Sequence, residues 1–126
     1  ERAARAIPIR SMLAAHIPVG GGTDAPVVDP NPFISMWWMT TRGTLPKGDV
    51  LGIDQGISGE DALRIYTMGS ARIERMEDRI GSLEPGKLAD LVVVSEDLLT
   101  VPPERIRQLH SVFTMVGGKV VYEGLQ

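Results

Sequence analysis

Apolar residues recur at helical spacing along the front half of this chain and gather into short strand-like runs in its tail. Ile9, Met12 and Leu13 stand at i, i+3 and i+4, one face of a short helix with Pro8 in its first turn. Pro18 bars that helix from continuing. Ile17 to Gly22 then reads as a short buried strand whose glycines admit close backbone approach. Pro26 to Pro32 is a loop rich in Pro and Asp. Asn31 followed by Pro32 predicts a helix N-cap with proline at the first helical position. The helix runs over Phe33 to Thr41, with Phe33, Met36, Trp37 and Thr40 on one face. Arg42 to Ile57 holds Gly43, Pro46, Gly48, Gly52 and Gly56 and reads as an irregular connection. Ser58-Gly59-Glu60-Asp61 resembles a capping box with Asp in place of the usual Glu. Ala62, Ile65, Tyr66 and Gly69 keep helical spacing to about Ala71, and Glu74 to Asp78 is a charged, solvated stretch.

Beyond Ile80 the character of the chain changes. Glu84-Pro85-Gly86-Lys87 fits a type II turn. Leu88 to Val94 contains Leu91-Val92-Val93-Val94, a run suited to a buried strand. Pro103 to Leu109 allows one or two helical turns. Val112 to Val116, Gly117-Gly118 and Lys119 to Tyr122 predict a hairpin with a two-residue turn. The front half therefore reads as α/β and the tail as mostly β, with no internal repeat and no low-complexity segment.

The 126 residues suffice for a real core but not for a complete (β/α)8 barrel, which needs roughly 250. The absence of cysteine excludes disulfides and thiolate metal sites. A net charge of −3, with no clustered basic face, argues against a nucleic-acid partner. No apolar run approaches the roughly 18 residues that span a bilayer, so no membrane role is expected. The chain opens at Glu1 with no initiator Met, as a fragment would. No compartment is assigned beyond a cytoplasmic default.

The candidate chemistry centres on Gly22-Thr23-Asp24-Ala25-Pro26. An apolar strand ending here would present the Asp24 carboxylate at its C-terminal end, where barrel enzymes hold their chemistry. Such a carboxylate can ligate a metal and take a proton from water. The alternative is a turn aspartate bonding its own backbone. His16 is expected just past a helix end with positive φ, and His110 at the surface before a strand. Asp29 and Asn31 read as turn and cap residues. Trp37 and Trp38 are consecutive and cannot share a helix face, so one packs inside while the other lines a pocket or lies exposed. Arg42 is expected to pair with a nearby carboxylate, or to face a substrate pocket with the two tryptophans.

Several stretches together resemble the amidohydrolase superfamily, in particular its family 3 branch of N-substituted formamide deformylases and proteins named exoenzyme regulators. The most specific is Ile80-Gly81-Ser82-Leu83-Glu84-Pro85-Gly86-Lys87-Leu88-Ala89-Asp90-Leu91-Val92-Val93, followed by Val116-Gly117-Gly118-Lys119-Val120-Val121-Tyr122. Upstream lie Pro8 to Leu13, Gly22 to Val27, Asn31-Pro32-Phe33, Thr41-Arg42 and the Tyr66 to Ala71 helix end, in matching order.

The resemblance implies an α/β fold, namely the C-terminal fragment of a metal-dependent (β/α)8 barrel hydrolase with part of its small β-sandwich. Residues 1–75 would hold the last barrel strand and helices, and residues 76–126 the C-terminal share of the sandwich. Asp24 would be the strand-8 aspartate that ligates the metal, zinc by default, and shuttles the water's proton during hydrolysis of a small-molecule amide or formamide. The other metal ligands of the family, a His-x-His pair, a carboxylated Lys or a Glu, and two further histidines, do not precede Asp24 here. The fragment alone is therefore expected to be inactive. The alternative is a non-catalytic module that self-associates, as a homo-oligomer, through barrel surfaces left open.

Overall fold

The computed structural model describes residues 5–45 and 48–124. Helical segments come first along the chain. Helix α1 spans Ile9–Ala14, with Pro8 one position earlier than expected, at the N-cap. Helix α2 spans Pro32–Thr41, and the Asn31 side chain accepts a 2.9 Å hydrogen bond from the Phe33 N–H, satisfying a donor the helix cannot. Helix α3, Gly59–Arg64, opens on Ser58, whose Oγ accepts from the Asp61 N–H at 3.0 Å. Asp61 is too short to complete the capping box by reaching back to the backbone. It accepts from the Ser58 hydroxyl instead, at 2.7 Å. The chain continues through a π turn, Ile65–Gly69, into α4, Ser70–Ile73.

Three strands follow: β1 Leu91–Val94, β2 Ser111–Val116 and β3 Lys119–Glu123. They form one antiparallel sheet in the order β1-β2-β3, with Val93 opposite Phe113 and Thr114 opposite Tyr122. Gly117 and Gly118 take φ of 56° and 78°, the pair of positive angles a two-residue type I′ turn requires. Gly86 at φ 95° and the Lys87 N–H bonded to the Glu84 carbonyl close the expected turn before β1.

The core joins the helices to the second half of the chain. Ile9, Phe33, Met36, Trp37, Ala62 and Ile65 pack with Leu98, Ile106 and Leu109. Helix α2 lies against the 3₁₀ turn Pro103–Gln108, where one or two helical turns were expected.

Two strand expectations need correction. Ile17–Gly22 is extended but forms no ladder among the described residues, and Ile17 is exposed. A strand exists only where a neighbour takes up its backbone groups. Here the glycines of the run lie against Tyr66, Ser70 and Ile73, which offer no strand edge. The second correction is β1: Val92 and Val93 are each 49% exposed. A strand is buried on both faces only when layers cover both, and the described residues supply no second layer over this sheet.

Candidate functional site

The extended run that leads to Asp24 is seated on the helix by small residues. A Cβ on Gly69 would collide with the carbonyl oxygen of Val19, and one on Gly21 would stand 2.6 Å from the Tyr66 ring. The two backbones can therefore touch. At the contact, the Gly21 N–H reaches the Ile65 carbonyl at 3.3 Å and Ser70 Oγ at 3.1 Å. The same hydroxyl lies 3.1 Å from the carbonyl oxygens of both Gly21 and Ile65, between which its single proton is shared. Within the π turn the Ile65 carbonyl also accepts from the Ser70 N–H, so the Gly21 N–H shares that oxygen with the helix's own donors.

Asp24 follows three residues later, exposed and in the left-handed region at φ 56°. Aspartate tolerates that conformation better than most residues. Its carbonyl accepts from the Val27 N–H at 2.9 Å, closing a turn. The carboxylate makes no hydrogen bond or ion pair among the described residues, so its lone pairs face solvent. It can accept a proton or ligate a hard cation. His16 begins the same segment at φ 56°, past the end of α1 as expected, and His110 is exposed. Among the described residues no group of three His, Cys, Asp or Glu side chains comes together to hold a metal ion. A catalytic zinc needs three protein ligands. Asp24 fits as one ligand and the described residues do not complete the set.

The other predicted site residues lie elsewhere. Arg42 is 1% exposed, and among the described residues no carboxylate pairs with it directly. Its guanidinium donates to the carbonyls of Ala6 (2.6 Å), Ile7 (3.2 Å) and Leu51 (3.1 Å). It also stacks 4.1 Å from the centroid of Trp38. Burial lowers its pKa from the ordinary arginine value, while Asp54 acts in the opposite sense. The expected ion pair is thus replaced by three main-chain acceptors, brought together because Arg42 ends α2 at φ 58°. Trp37 is buried in the core under Arg107, 5.0 Å from its centroid, and Trp38 is half-buried. An open cavity of about 830 Å³ lies between the helices and the sheet, lined by Phe33, Met36, Leu63, Tyr66, Val92 and Leu98 among others. Neither tryptophan nor Arg42 lines it. The pairing of Ser70 with Gly21 carried no signal in the sequence beyond a glycine inside a helical pattern, which marks close packing or function.

Comparison with known proteins settles the family. The sequence profile of the amidohydrolase family matches residues 1–122. This chain belongs to the amidohydrolase family. It is 34% identical, over 116 residues, to the N-substituted formamide deformylase of Arthrobacter pascens, covering 92% of this chain and 21% of that protein. Among solved structures it resembles an amidohydrolase from Thermotoga maritima MSB8 with a TM-score of 0.67 and 27% identity, covering 91% of this chain and 25% of that one. It also resembles a metal-dependent hydrolase from Pyrococcus furiosus with a TM-score of 0.54 and 29% identity, over 69% of this chain and 17% of that one. This amidohydrolase chain thus spans a quarter or less of the length of each relative.

Proposed function

We propose that this chain supplies the proton-handling aspartate of a metal-dependent hydrolase that splits the C–N bond of a small amide or formamide. In this reading residues 1–75 belong to a (β/α)8 barrel and residues 76–126 to a β-sandwich beside it. The observation that carries the proposal is the placement of Asp24. It follows an extended apolar run seated on a helix, and its carboxylate is exposed at a left-handed turn. The likeness to a formamide deformylase and to a metal-dependent hydrolase supports the substrate class and the metal.

A divalent metal, zinc by default, would supply Lewis-acid activation of water when bound. Asp24 is its proposed ligand from this chain. The Asp24 carboxylate would also hold the proton released by the attacking water and return it to the departing nitrogen, so that the amine leaves neutral. Trp37, Trp38 and Arg42 are not proposed to touch substrate, since packing and main-chain bonds already occupy them. The 126 residues by themselves are proposed to be inactive, because one carboxylate cannot hold a catalytic zinc.

The test is Asp24→Asn in the full-length protein, assayed with zinc for formate release from an N-alkylformamide. The variant should lose about 10²-fold or more in kcat. Retention of kcat within about twofold would remove Asp24 from the chemistry. The self-association reading keeps one observation in its favour: Val92, Val93, Val120 and Val121 of the sheet are 49–60% exposed. Apolar surface of that kind is commonly covered by protein. Sedimentation of residues 1–126 should then show a concentration-dependent dimer or larger species, whereas a monomer at all concentrations would dismiss that reading.

A further inference from the structure

We infer that Ser70 is a positioning residue for Asp24, acting through the main chain of Gly21; the inference rests on the role of Asp24 proposed above. The Ser70 side chain accepts from the N–H of Gly21 and lies within donating distance of its carbonyl, both at 3.1 Å. Two bonds to one residue fix the orientation of the peptide planes on either side of it, which a single bond would not do. The Ile65 carbonyl adds a second acceptor for the same N–H, at 3.3 Å. The seat is rigid because it lies on a helix and is closed by contact: neither Gly69 nor Gly21 leaves room for a Cβ.

Asp24 sits between two pinned points. On one side is Gly21, three residues before it. On the other is the turn closed by the Val27 N–H on the Asp24 carbonyl. With φ at 56°, the direction of the Asp24 side chain follows from how the preceding peptides are held. A catalytic carboxylate displaced by about 1 Å can lose about 10²-fold in rate while substrate still binds. Ser70 therefore belongs to the geometry of the reaction without touching a reactant. A residue that only held the fold would act through stability, not through turnover.

The experiment compares Ser70→Ala, Ser70→Thr and Asp24→Asn in the full-length protein. The readouts are formate release from an N-alkylformamide, zinc affinity of the metal-free protein by calorimetry, and the exchange rate of the Gly21 amide. Ser70→Ala should lower kcat at least about tenfold with KM within about twofold, since the loss is orientation and not binding. It should also weaken zinc binding and speed Gly21 exchange. Ser70→Thr, which keeps the hydroxyl, should restore most of each. Ser70→Cys, close to serine in size but a weak hydrogen-bonding group, replaces the alanine variant if that one does not fold. If Asp24→Asn abolishes turnover but Ser70→Ala leaves kcat and zinc affinity unchanged, the positioning role is wrong and the proposed function stands. A threonine variant as impaired as alanine would equally reject the role of the hydroxyl. If Asp24→Asn is fully active, the proposed function fails and the inference falls with it.

Discussion

The N–H of Gly117 donates to the carboxylate of Asp90 at 2.6 Å, across 27 residues of sequence. Beside it the Gly118 N–H donates to the Ala89 carbonyl at 3.0 Å. The entry to β1 thereby holds the turn between β2 and β3. This explains physically why Ala89-Asp90 and Gly117-Gly118 occur in one chain: the carboxylate supplies the acceptor that a two-glycine turn leaves unmet. Asp90→Ala should destabilise the fold by about 1–3 kcal/mol, with Asp90→Asn losing less. Urea unfolding followed by circular dichroism measures it, and equal stability of all three proteins would show that water replaces the bond.

Gly69→Ala decides between two opposing effects. A helical Gly replaced by Ala ordinarily gains roughly 1 kcal/mol. Here the new methyl would collide with the Val19 carbonyl oxygen, which is main chain and cannot swing aside. Overpacking of this kind costs about 1–3 kcal/mol, so a net loss is expected. A thermal melt that rises on Gly69→Ala would mean the run before Asp24 moves away freely.

Arg42 is a structural residue in an unusual place. Its backbone ends α2 at φ 58°, a position that commonly favours glycine. Its side chain compensates by serving three carbonyls and lying on Trp38. Arg42→Ala should lose about 1–3 kcal/mol, because three part-buried main-chain bonds lose their donor. Arg42→Lys should recover only part, since an ammonium cannot span the fork. The comparison is again a denaturant midpoint, and a harmless Arg42→Ala would assign those carbonyls to water.

Glu84 makes the pH prediction. The Ser82 hydroxyl, and then Lys87, hold its carboxyl below the ordinary glutamate value. The folded state thus favours the carboxylate. Its contribution is present above the unfolded glutamate range and is lost as pH falls through the lowered folded value. The group is fully solvated, so the effect on stability is small. The direct check is a side-chain carboxyl titration by NMR. Its midpoint should lie below that of an ordinary glutamate and move upward in Ser82→Ala. A midpoint unmoved by the substitution would assign the shift to Lys87.

What the sequence revealed divides by the range of the interaction. Asn31, Ser58, the Glu84–Lys87 turn and the Gly117-Gly118 hairpin were legible because each is a contact within a few residues, with its partner written alongside. The positive φ of His16 was legible for the same reason. The run at 17–22 was readable as extended but not as lacking a ladder, since pairing depends on a strand found elsewhere. Arg42 misled because proximity in sequence suggested a carboxylate, whereas its acceptors are carbonyls brought near by folding. The π turn left no signature, and with it the Ser70–Gly21 seat went unread. Asp24 was singled out from its motif together with the downstream stretches that resemble the amidohydrolases.

The wide turn at Ile65–Gly69 also limits how this stretch of chain can vary in length. Removing one residue between 65 and 69 would restore regular winding, which by itself is a local gain. Each residue of an α-helix, however, turns the chain by about 100°. Everything from Ser70 onward would rotate by that amount. Ala71, 2% exposed and beneath Gly81, would swing off its contact, and the Ser70 hydroxyl would leave Gly21. Homologous chains that keep the Asp24 segment should therefore tolerate substitutions in this turn far more readily than single-residue deletions.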